Sequence, residues 1–264
     1  RVPIGFRNYR EIFTNPLITQ PFFRVFGWTF LWAFLSVATT FALGLMLALN
    51  LNEPTMHFKK IYRSLLIVPY AMPIFITALM WRGFFNTSAG MINTKILQPL
   101  FDIAPAWFQE ATLAKVAILI VNLWLGFPYM MVITLGALQS IPPQLYEVAK
   151  IDGASAPRQF FEITLPLLLL SVGPLLIGSF AFNFNNFNVI YLVTQGDPPI
   201  PGANVAGSTD ILISYTYKLA FGGQGGTLYG FAAAVSVIIF ALIGTISGFN
   251  FRWTGALEEM GENV

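Results

Sequence analysis

The sequence predicts an all-α membrane protein, a polytopic helical bundle with about five transmembrane helices. Hydrophobic residues make up 56% of its 264 residues and charged residues only 10%, whereas a soluble domain has about 25% charged residues. Apolar runs of the length that a spanning helix needs, about 20 residues, lie between the charged residues. They are residues 25–52, 64–81, 116–146, 163–196 and 219–251.

The composition also excludes several kinds of site. A net charge of +2 without a long basic patch does not suit a nucleic-acid partner. The absence of cysteine excludes disulfides and thiolate metal sites. The single histidine, His57, lies beside Lys59 and Lys60 and is expected to be a solvated loop side chain, so we expect no metal site. No G-x-x-x-x-G-K-[ST] phosphate loop is present, so ATP hydrolysis by that route would need another chain.

The positions of the charges bear on the mode of transport. Ion-coupled carriers and proton pumps usually place Asp, Glu, His or Lys near the bilayer midplane. Here every charge lies at or beyond the ends of the apolar runs, which disfavours a proton-coupled carrier. Sodium coordinated by backbone groups stays open as an alternative. Lys and Arg do not orient the chain decisively, although the cluster of Lys59, Lys60 and Arg63 favours a cytoplasmic location for residues 53–63.

The polar segment 140–163 predicts a helical hairpin. Pro142 and Pro143 suit a helix start, where a missing N–H is no loss. Gly153 can adopt the positive φ that ends a helix, and Pro157 suits the first turn of the next one. We therefore expect a short helix, a glycine turn and a second helix that enters the membrane.

This segment resembles a family motif. Glu147-Val148-Ala149, three residues, Gly153, nine residues and then Ile163-Thr164-Leu165-Pro166 is similar to the E-A-A, G, I-x-L-P loop of ABC importer permeases. Only Val148, in place of alanine, departs from that pattern. Other segments resemble the larger permease subunits of maltose/maltodextrin ABC importers. They are SLLIVPYAMPIFI (64–76), PAWF (105–108), LIVNLWLGFPYMM (119–131) and SFAFNFNNF (179–187).

The resemblance implies a type I ABC importer permease core in the bacterial inner membrane. It implies a second related permease, a periplasmic sugar-binding protein and two ATPase subunits, which hold the ATP and Mg, so that this chain binds no cofactor and is not itself an enzyme. Maltose or maltodextrin is the implied substrate, with trehalose or another oligosaccharide as the alternative. The residues expected to dock the ATPase are Glu147, Ala149, Asp152 and Gly153.

The same resemblance suggests a division of the chain. Residues 1–24 are expected to end a periplasmic region, because the larger subunits carry a large periplasmic domain and further helices at their N-terminal side. Residues 25–251 are expected to form the transmembrane core, and residues 252–264 a cytoplasmic tail.

Two polar stripes are the candidate sugar contacts. Within each stripe the residues are spaced by three, four and seven, which places them on one face of a helix. The stripes are Asn122, Leu125, Gly126 and Tyr129, and Ser179, Phe182, Asn183 and Asn186. Amides donate to and accept from sugar hydroxyls, and in maltose permeases the matching positions line the sugar site. The alternative is that these amides bond to neighbouring helices. Asn185 and Asn188 lie off the stripe and are expected to be helix-packing or helix-end amides.

Weaker expectations concern the prolines and loops. Pro69, Pro73 and Pro128 are expected to kink the spans. The turn-rich loop 196–210 is expected to be external, either as an exposed connector or as a contact for the binding protein. The glycine cluster 222–226 is expected to be a flexible bend. An ion-coupled carrier and a noncatalytic membrane scaffold remain the competing classes.

Overall fold

The computed structural model describes residues 5–203, 205–222 and 228–262, and these are almost entirely helical. No β-strand occurs in these ranges, although Pro199 and Gly207 form an isolated bridge. Two short π-helical segments, Ile92–Leu97 and Phe160–Thr164, interrupt the α-helices. The α-helices are α1 Arg7–Thr14, α2 Pro16–Asn52, α3 Lys59–Ala71, α4 Ile74–Phe84, α5 Gln98–Phe101, α6 Ala111–Ser140, α7 Pro143–Ile151, α8 Ala156–Gln159, α9 Leu165–Phe184, α10 Phe187–Val193, α11 Leu212–Phe221 and α12 Tyr229–Glu262.

Four of the described helical stretches are long and apolar enough to cross a membrane, and the bent pair α3 and α4 raises the number to five. The four are Ile18–Asn52, Ala111–Ser140, Ala156–Phe184 and Tyr229–Phe249. At about 1.5 Å per residue, α6 alone is about 45 Å long, which exceeds the hydrocarbon core of about 30 Å. The predicted all-α membrane fold is confirmed.

One apolar run is not a single helix. Residues 64–81 were expected to form one span, but the helix breaks between Ala71 and Ile74. Pro73 is the N-cap of α4, with φ −56° and ψ 129°. Proline lacks an N–H and disfavours helical geometry in the residue before it, here Met72, so the helix ends there. Pro69 and Pro128 instead lie inside α3 and α6.

The chain divides into two compact units, of which the first comprises the described residues to Ser36 together with Met72–Asn122 and Ala181–Thr245. Its largest fully buried side chains include Trp32, Phe85 and Phe184. The Trp32 Nε1 donates a hydrogen bond of 3.0 Å to the carbonyl of Asn183. A large aromatic side chain is thereby fixed against the C-terminal end of α9, close to one of the predicted stripes.

The second unit comprises Val37–Ala71, Leu123–Phe180 and the residues from Ile246. Its core is a cluster of aliphatic side chains from α2, α6 and α9, together with Ile141, and includes Ala48, Met131 and Leu168. Gly44 permits close packing, because a Cβ there would lie 2.7 Å from the backbone nitrogen of Met131. Small residues at such contacts let membrane helices approach closely. Beyond this core, α12 continues to Glu262, so residues 252–262 of the predicted tail are helical.

Candidate functional site

The segment 140–163, here called the docking hairpin, has the predicted form. The helix α7 begins after Pro142 and is followed by Gly153 with φ +76°. The amide of Gly153 bonds to the carbonyl of Lys150 at 3.1 Å, and that of Ala154 to the carbonyl of Ala149 at 2.8 Å. This pair of bonds is a Schellman motif, which requires a left-handed residue where Gly153 stands. The glycine turn is confirmed, and its geometry fixes the direction of the chain after α7.

Side-chain bonds hold the two arms of the docking hairpin together. The Tyr146 hydroxyl lies 3.0 Å from the hydroxyl of Thr164, and Gln159 donates from Nε2 to the carbonyl of Ala154 at 2.8 Å. These bonds connect α7 and the glycine turn to the start of the membrane helix α9. The two arms are therefore joined by side-chain contacts as well as by the chain.

The outer face of the docking hairpin is unusually apolar for an exposed surface. Ile151 is 85% exposed, Phe161 64% and Val148 58%. The predicted docking residues Glu147, Asp152 and Gly153 are also exposed, whereas Ala149 is half-buried. A cluster of exposed large apolar side chains, rimmed by charges, is typical of a surface that another protein covers.

The two amide stripes meet at one point. Asn186 donates from Nδ2 to the Oδ1 of Asn122 over 3.3 Å, and Asn122 is only 5% exposed. An amide carries two donor hydrogens and an acceptor oxygen with two lone pairs. One bond therefore uses a small part of what the pair can offer to a ligand hydroxyl.

The expectation that Asn186 shares one helix face with Ser179 and Asn183 is wrong, because the helix ends before Asn186. The helix α9 ends at Phe184, and Asn186 lies in the break before α10 with φ −75° and ψ 73°. The amide of Phe187 bonds to the carbonyl of Asn185 at 2.8 Å, which makes Asn186 the centre of an inverse γ-turn. Asparagine favours turns over helix interiors because its side chain competes for backbone groups, so the FNFNNFN run interrupts the helix.

The other stripe residues differ in exposure. Asn183 is buried, Ser179 is half-exposed and Phe182 is 63% exposed. On α6, Gly126 packs against α2, because a Cβ there would meet the Thr40 methyl carbon at 2.8 Å. Gly126 therefore lets α6 approach α2 closely, and the adjacent Leu125 is half-buried.

Tyr129 is more accessible than its neighbours on α6. Its ring is 36% exposed and stacks on Tyr70 at a centroid distance of 6.3 Å. One face of this ring is therefore supported by another aromatic ring. Such support fixes the orientation of an aromatic side chain that could stack on the apolar face of a sugar.

The segment 194–211, here called the return loop, is folded more tightly than the sequence indicated. Ala206, Thr209 and Asp210 are buried, although Asp197 and Pro199 are exposed, so the loop is only in part an exposed connector. Trp28 donates from Nε1 to the carbonyl of Thr209 at 3.3 Å, and the hydroxyl of Thr29 accepts from the amide of Leu212 at 2.9 Å. These bonds attach the C-terminal end of the return loop and the start of α11 to α2. Of the predicted glycine bend, residues 223–226 lie outside the described ranges.

A buried ion pair holds the return loop. Asp210 is fully buried, and its Oδ2 accepts from Lys218 Nζ at 2.8 Å and from the amide of Gly207 at 2.7 Å. Its Oδ1 accepts from the Ser214 hydroxyl at 2.8 Å. Burial raises the pKa of the Asp210 carboxyl, against the opposing attraction of Lys218. Burial and the Asp210 charge raise the pKa of Tyr215 to about 12.

The sequence reasoning missed this pair, although a signal was present. Asp210, Ser214 and Lys218 are separated by four residues each, the spacing of one helix face. Asp210 ends the loop 196–210, which we expected to be either an exposed connector or a contact for the binding protein, without considering an ion pair. The carboxylate is satisfied by protein groups, and no cluster of three or more metal-ligating side chains occurs among the described residues. Asp210 therefore serves the fold of the loop.

Comparison with known proteins agrees with these features. Residues 40–253 match the family described as binding-protein-dependent transport system inner membrane component. The maltose/maltodextrin transport system permease protein MalF of Salmonella typhimurium strain LT2 is 47% identical over 254 residues, and that of Escherichia coli strain K12 is 45% identical. In both cases the match covers 96% of this chain and 49% of the relative, so the chain spans about half the length of these curated relatives.

Solved structures share the fold. A bacterial alginate ABC transporter in complex with a periplasmic protein bound to alginate pentasaccharide matches with a TM-score of 0.77 at 24% identity, over 94% of this chain and 81% of that chain. An amino acid ABC transporter matches with a TM-score of 0.59 at 14% identity, over 97% of this chain and all of that chain. By the family match over residues 40–253, this chain belongs to the inner membrane components of binding-protein-dependent transport systems, which are transport subunits and not enzymes.

Proposed function

We propose that this chain is the permease subunit of an ATP-driven importer that moves maltose or maltodextrins across the bacterial inner membrane by alternating access. The identity of 45 to 47% to permeases named for maltose and maltodextrin supports the substrate. The single observation that carries the mechanism is the docking hairpin, a rigid turn with an exposed apolar face. Its partners would be a second permease, two ATPase subunits that bind ATP and Mg, and a periplasmic sugar-binding protein.

The docking hairpin suits the transmission of force. Ile151 and Val148 would enter a cleft of the ATPase, where burial of apolar area contributes about 25 cal/mol per Å². Glu147 and Asp152 would lie at the polar rim of this contact. Closure of the ATPase dimer on ATP would then move α7, and the bond between Tyr146 and Thr164 would pass the movement to α9.

The amide pair suits a neutral sugar. Asn122 and Asn186 offer donors and acceptors together, and the exposed ring of Phe182 in the same unit offers a face for the apolar side of a pyranose. Tyr129, whose ring is also exposed, is included on the resemblance. The proposed sugar contacts also include, on the resemblance alone, Ser179, Asn183, Leu125 and Gly126. A site of neutral hydrogen bonds binds moderately, because each contributes about 0.5–1.5 kcal/mol net. Moderate binding is what a transporter needs, since the sugar must leave on the other side.

Reconstitution tests this proposal. The full-length protein is assembled with its permease and ATPase partners in proteoliposomes, with the binding protein outside and labelled maltose as the solute. We expect uptake that requires ATP and saturates with maltose, and that maltotriose inhibits more strongly than trehalose. Uptake driven by a sodium or proton gradient without ATP would identify an ion-coupled carrier, and the lack of saturable uptake of any sugar would identify a scaffold.

The docking and sugar residues are tested separately in the same system. Replacement of Glu147 by Ala should uncouple ATP hydrolysis from uptake or release the ATPase. Replacement of Asn183 or Tyr129 by Ala should impair maltose uptake while the complex stays assembled. If these last two variants instead fail to assemble, the side chains serve helix packing and the sugar contact is wrong.

A further inference from the structure

A cavity of about 510 Å³ lies in the first compact unit, between the N-terminal part of α2, the start of α6 and the return loop. Its lining includes Arg24, Gly27 and Trp28 of α2 and Ala111 and Lys115 of α6. Neither the docking hairpin nor the amide stripes contribute to it. The proposed transport mechanism therefore does not involve this cavity.

The cavity is cationic. Arg24 and Lys115 both line it, and none of the described residues in its lining is acidic. The ion pairs found among the described residues involve neither of these two cations. Lys115 Nζ lies 4.4 Å from the centre of the Trp28 ring, a cation–π contact that holds the ammonium but leaves its charge unneutralised. Ala111 opens the 30-residue helix α6, whose N-terminus adds partial positive charge.

The rim of the same cavity is apolar and open. Phe23 is 46% exposed and Leu31 is 49% exposed, and both line the cavity. Arg24 lies six residues after the start of the candidate span Ile18–Asn52, and Lys115 four residues after the start of Ala111–Ser140. Cations this close to the ends of spanning helices reach the headgroup level of a bilayer. The cavity thus joins positive charge at headgroup depth to apolar side chains that face outward.

We propose that this cavity binds the phosphodiester headgroup of an anionic phospholipid. Arg24 and Lys115 contact the phosphate oxygens, and the acyl chains lie along Phe23 and Leu31. A free phosphate ion would match the two cations but would have no use for the apolar rim. Trp28 connects the site to the return loop through its bond to the carbonyl of Thr209, so the bound lipid also supports the position of that loop.

Lipid retention tests the proposal. The assembled complex is purified from membranes that contain phosphatidylglycerol and phosphatidylethanolamine, and bound lipids are counted by native mass spectrometry. The double variant Arg24→Ala, Lys115→Ala should retain at most about a tenth of the phosphatidylglycerol that the wild type retains. Gly27→Leu should do the same by filling the cavity, because a Cβ at Gly27 meets nothing within 4 Å.

Matched variants separate the site from general damage. Gly244→Leu places the same side chain at another open helical position and should retain the lipid. Arg24→Lys keeps the charge and should also retain it, as long as complex assembly matches the wild type. Equal phosphatidylglycerol retention by the wild type, the double variant and Gly27→Leu would overturn the proposal. Displacement of the lipid by millimolar inorganic phosphate would overturn it as well, since the site would then be one for free anions.

Discussion

The docking hairpin and the return loop are both polar connections between apolar helices, but the first exposes apolar side chains and the second buries a charged one. The docking hairpin is held by backbone bonds around Gly153 and exposes Ile151 and Val148. The return loop is held by backbone bonds such as that from Ile200 to Ala206, and it also buries the carboxylate of Asp210 against Lys218. The first exposes apolar side chains, whereas the second satisfies its buried carboxylate with its own polar groups. The difference supports the proposal that the docking hairpin is an interface.

The largest effect is expected for the buried ion pair. Asp210→Ala leaves Lys218 partly buried without its partner, and the amide of Gly207 and the hydroxyl of Ser214 lose their acceptor. Removing one member of a buried pair costs about 3–5 kcal/mol. We expect a much lower unfolding temperature of the purified complex, measured by fluorescence-detected size exclusion after heating. The exposed Asp197 is the control; equal losses for Asp197→Ala and Asp210→Ala would contradict the distinction.

The next effect is expected at the glycine turn. Gly153→Val forces a β-branched residue into φ +76°, although a Cβ there meets nothing within 4 Å. The left-handed conformation costs about 1–2 kcal/mol, a factor of about 5–30 in the population of the native turn. We expect the copurified ATPase to fall by a similar factor while the permease content of the membrane stays constant. Gly136→Val, at an open helical position, should have no such effect.

The two regions also differ in how far their sequence predicts them. The docking hairpin follows from Pro142, Pro143 and Gly153, each of which constrains its own backbone regardless of context. The return loop depends on a contact between Asp210 and a lysine eight residues later, and on bonds from Trp28 and Thr29 that are far away in sequence. The spacing of Asp210, Ser214 and Lys218 marks one helix face but not the burial of the pair, and the bonds from Trp28 and Thr29 are not encoded in any local pattern. Local rules therefore gave the hairpin and missed the loop.

The amide site falls between these cases. Helical spacing placed Asn122 and Asn186 on two separate stripes, and the structure joins these two amides by a bond of 3.3 Å. The helical spacing was wrong about the backbone, because it treated FNFNNFN as uninterrupted helix when α9 ends at Phe184. Hydropathy likewise placed a span at residues 64–81 but could not see that Pro73 divides it. Average composition over a window does not register a break that one or two residues cause.

A smaller effect is expected at Asn186, in the break between α9 and α10. Asn186→Ala removes the amide bonded to Asn122, and with it one hydrogen bond that a sugar could accept or donate. At about 0.5–1.5 kcal/mol per bond, the KM for maltose uptake should rise about twofold to tenfold. Asn185→Ala changes the neighbouring, exposed amide and should leave the KM unchanged. A fall in assembled complex for Asn186→Ala, with an unaltered KM, would assign the amide to packing.

The smallest effect is expected for the ion pair of the docking hairpin. Arg158 and Glu162 lie 3.0 Å apart, but their side chains are 64% and 60% exposed. Exposed pairs four residues apart on a helix contribute only about 0.3–0.5 kcal/mol. Arg158→Ala should therefore leave the unfolding temperature of the purified complex almost unchanged. A loss as large as that of Asp210→Ala would show that exposure does not separate the two ion pairs.

Whether the docking hairpin binds the ATPase can be decided by one measurement, the amount of ATPase that copurifies with the full-length permease carrying Ile151→Asp. Ile151 is 85% exposed, so the change disturbs no packing within the chain. Phe101→Asp, at a 65% exposed apolar residue that ends α5, is the matched control. We predict that Ile151→Asp loses most of the ATPase and all ATP-driven maltose uptake, whereas Phe101→Asp retains both. Full ATPase binding and normal uptake by Ile151→Asp would contradict the proposal.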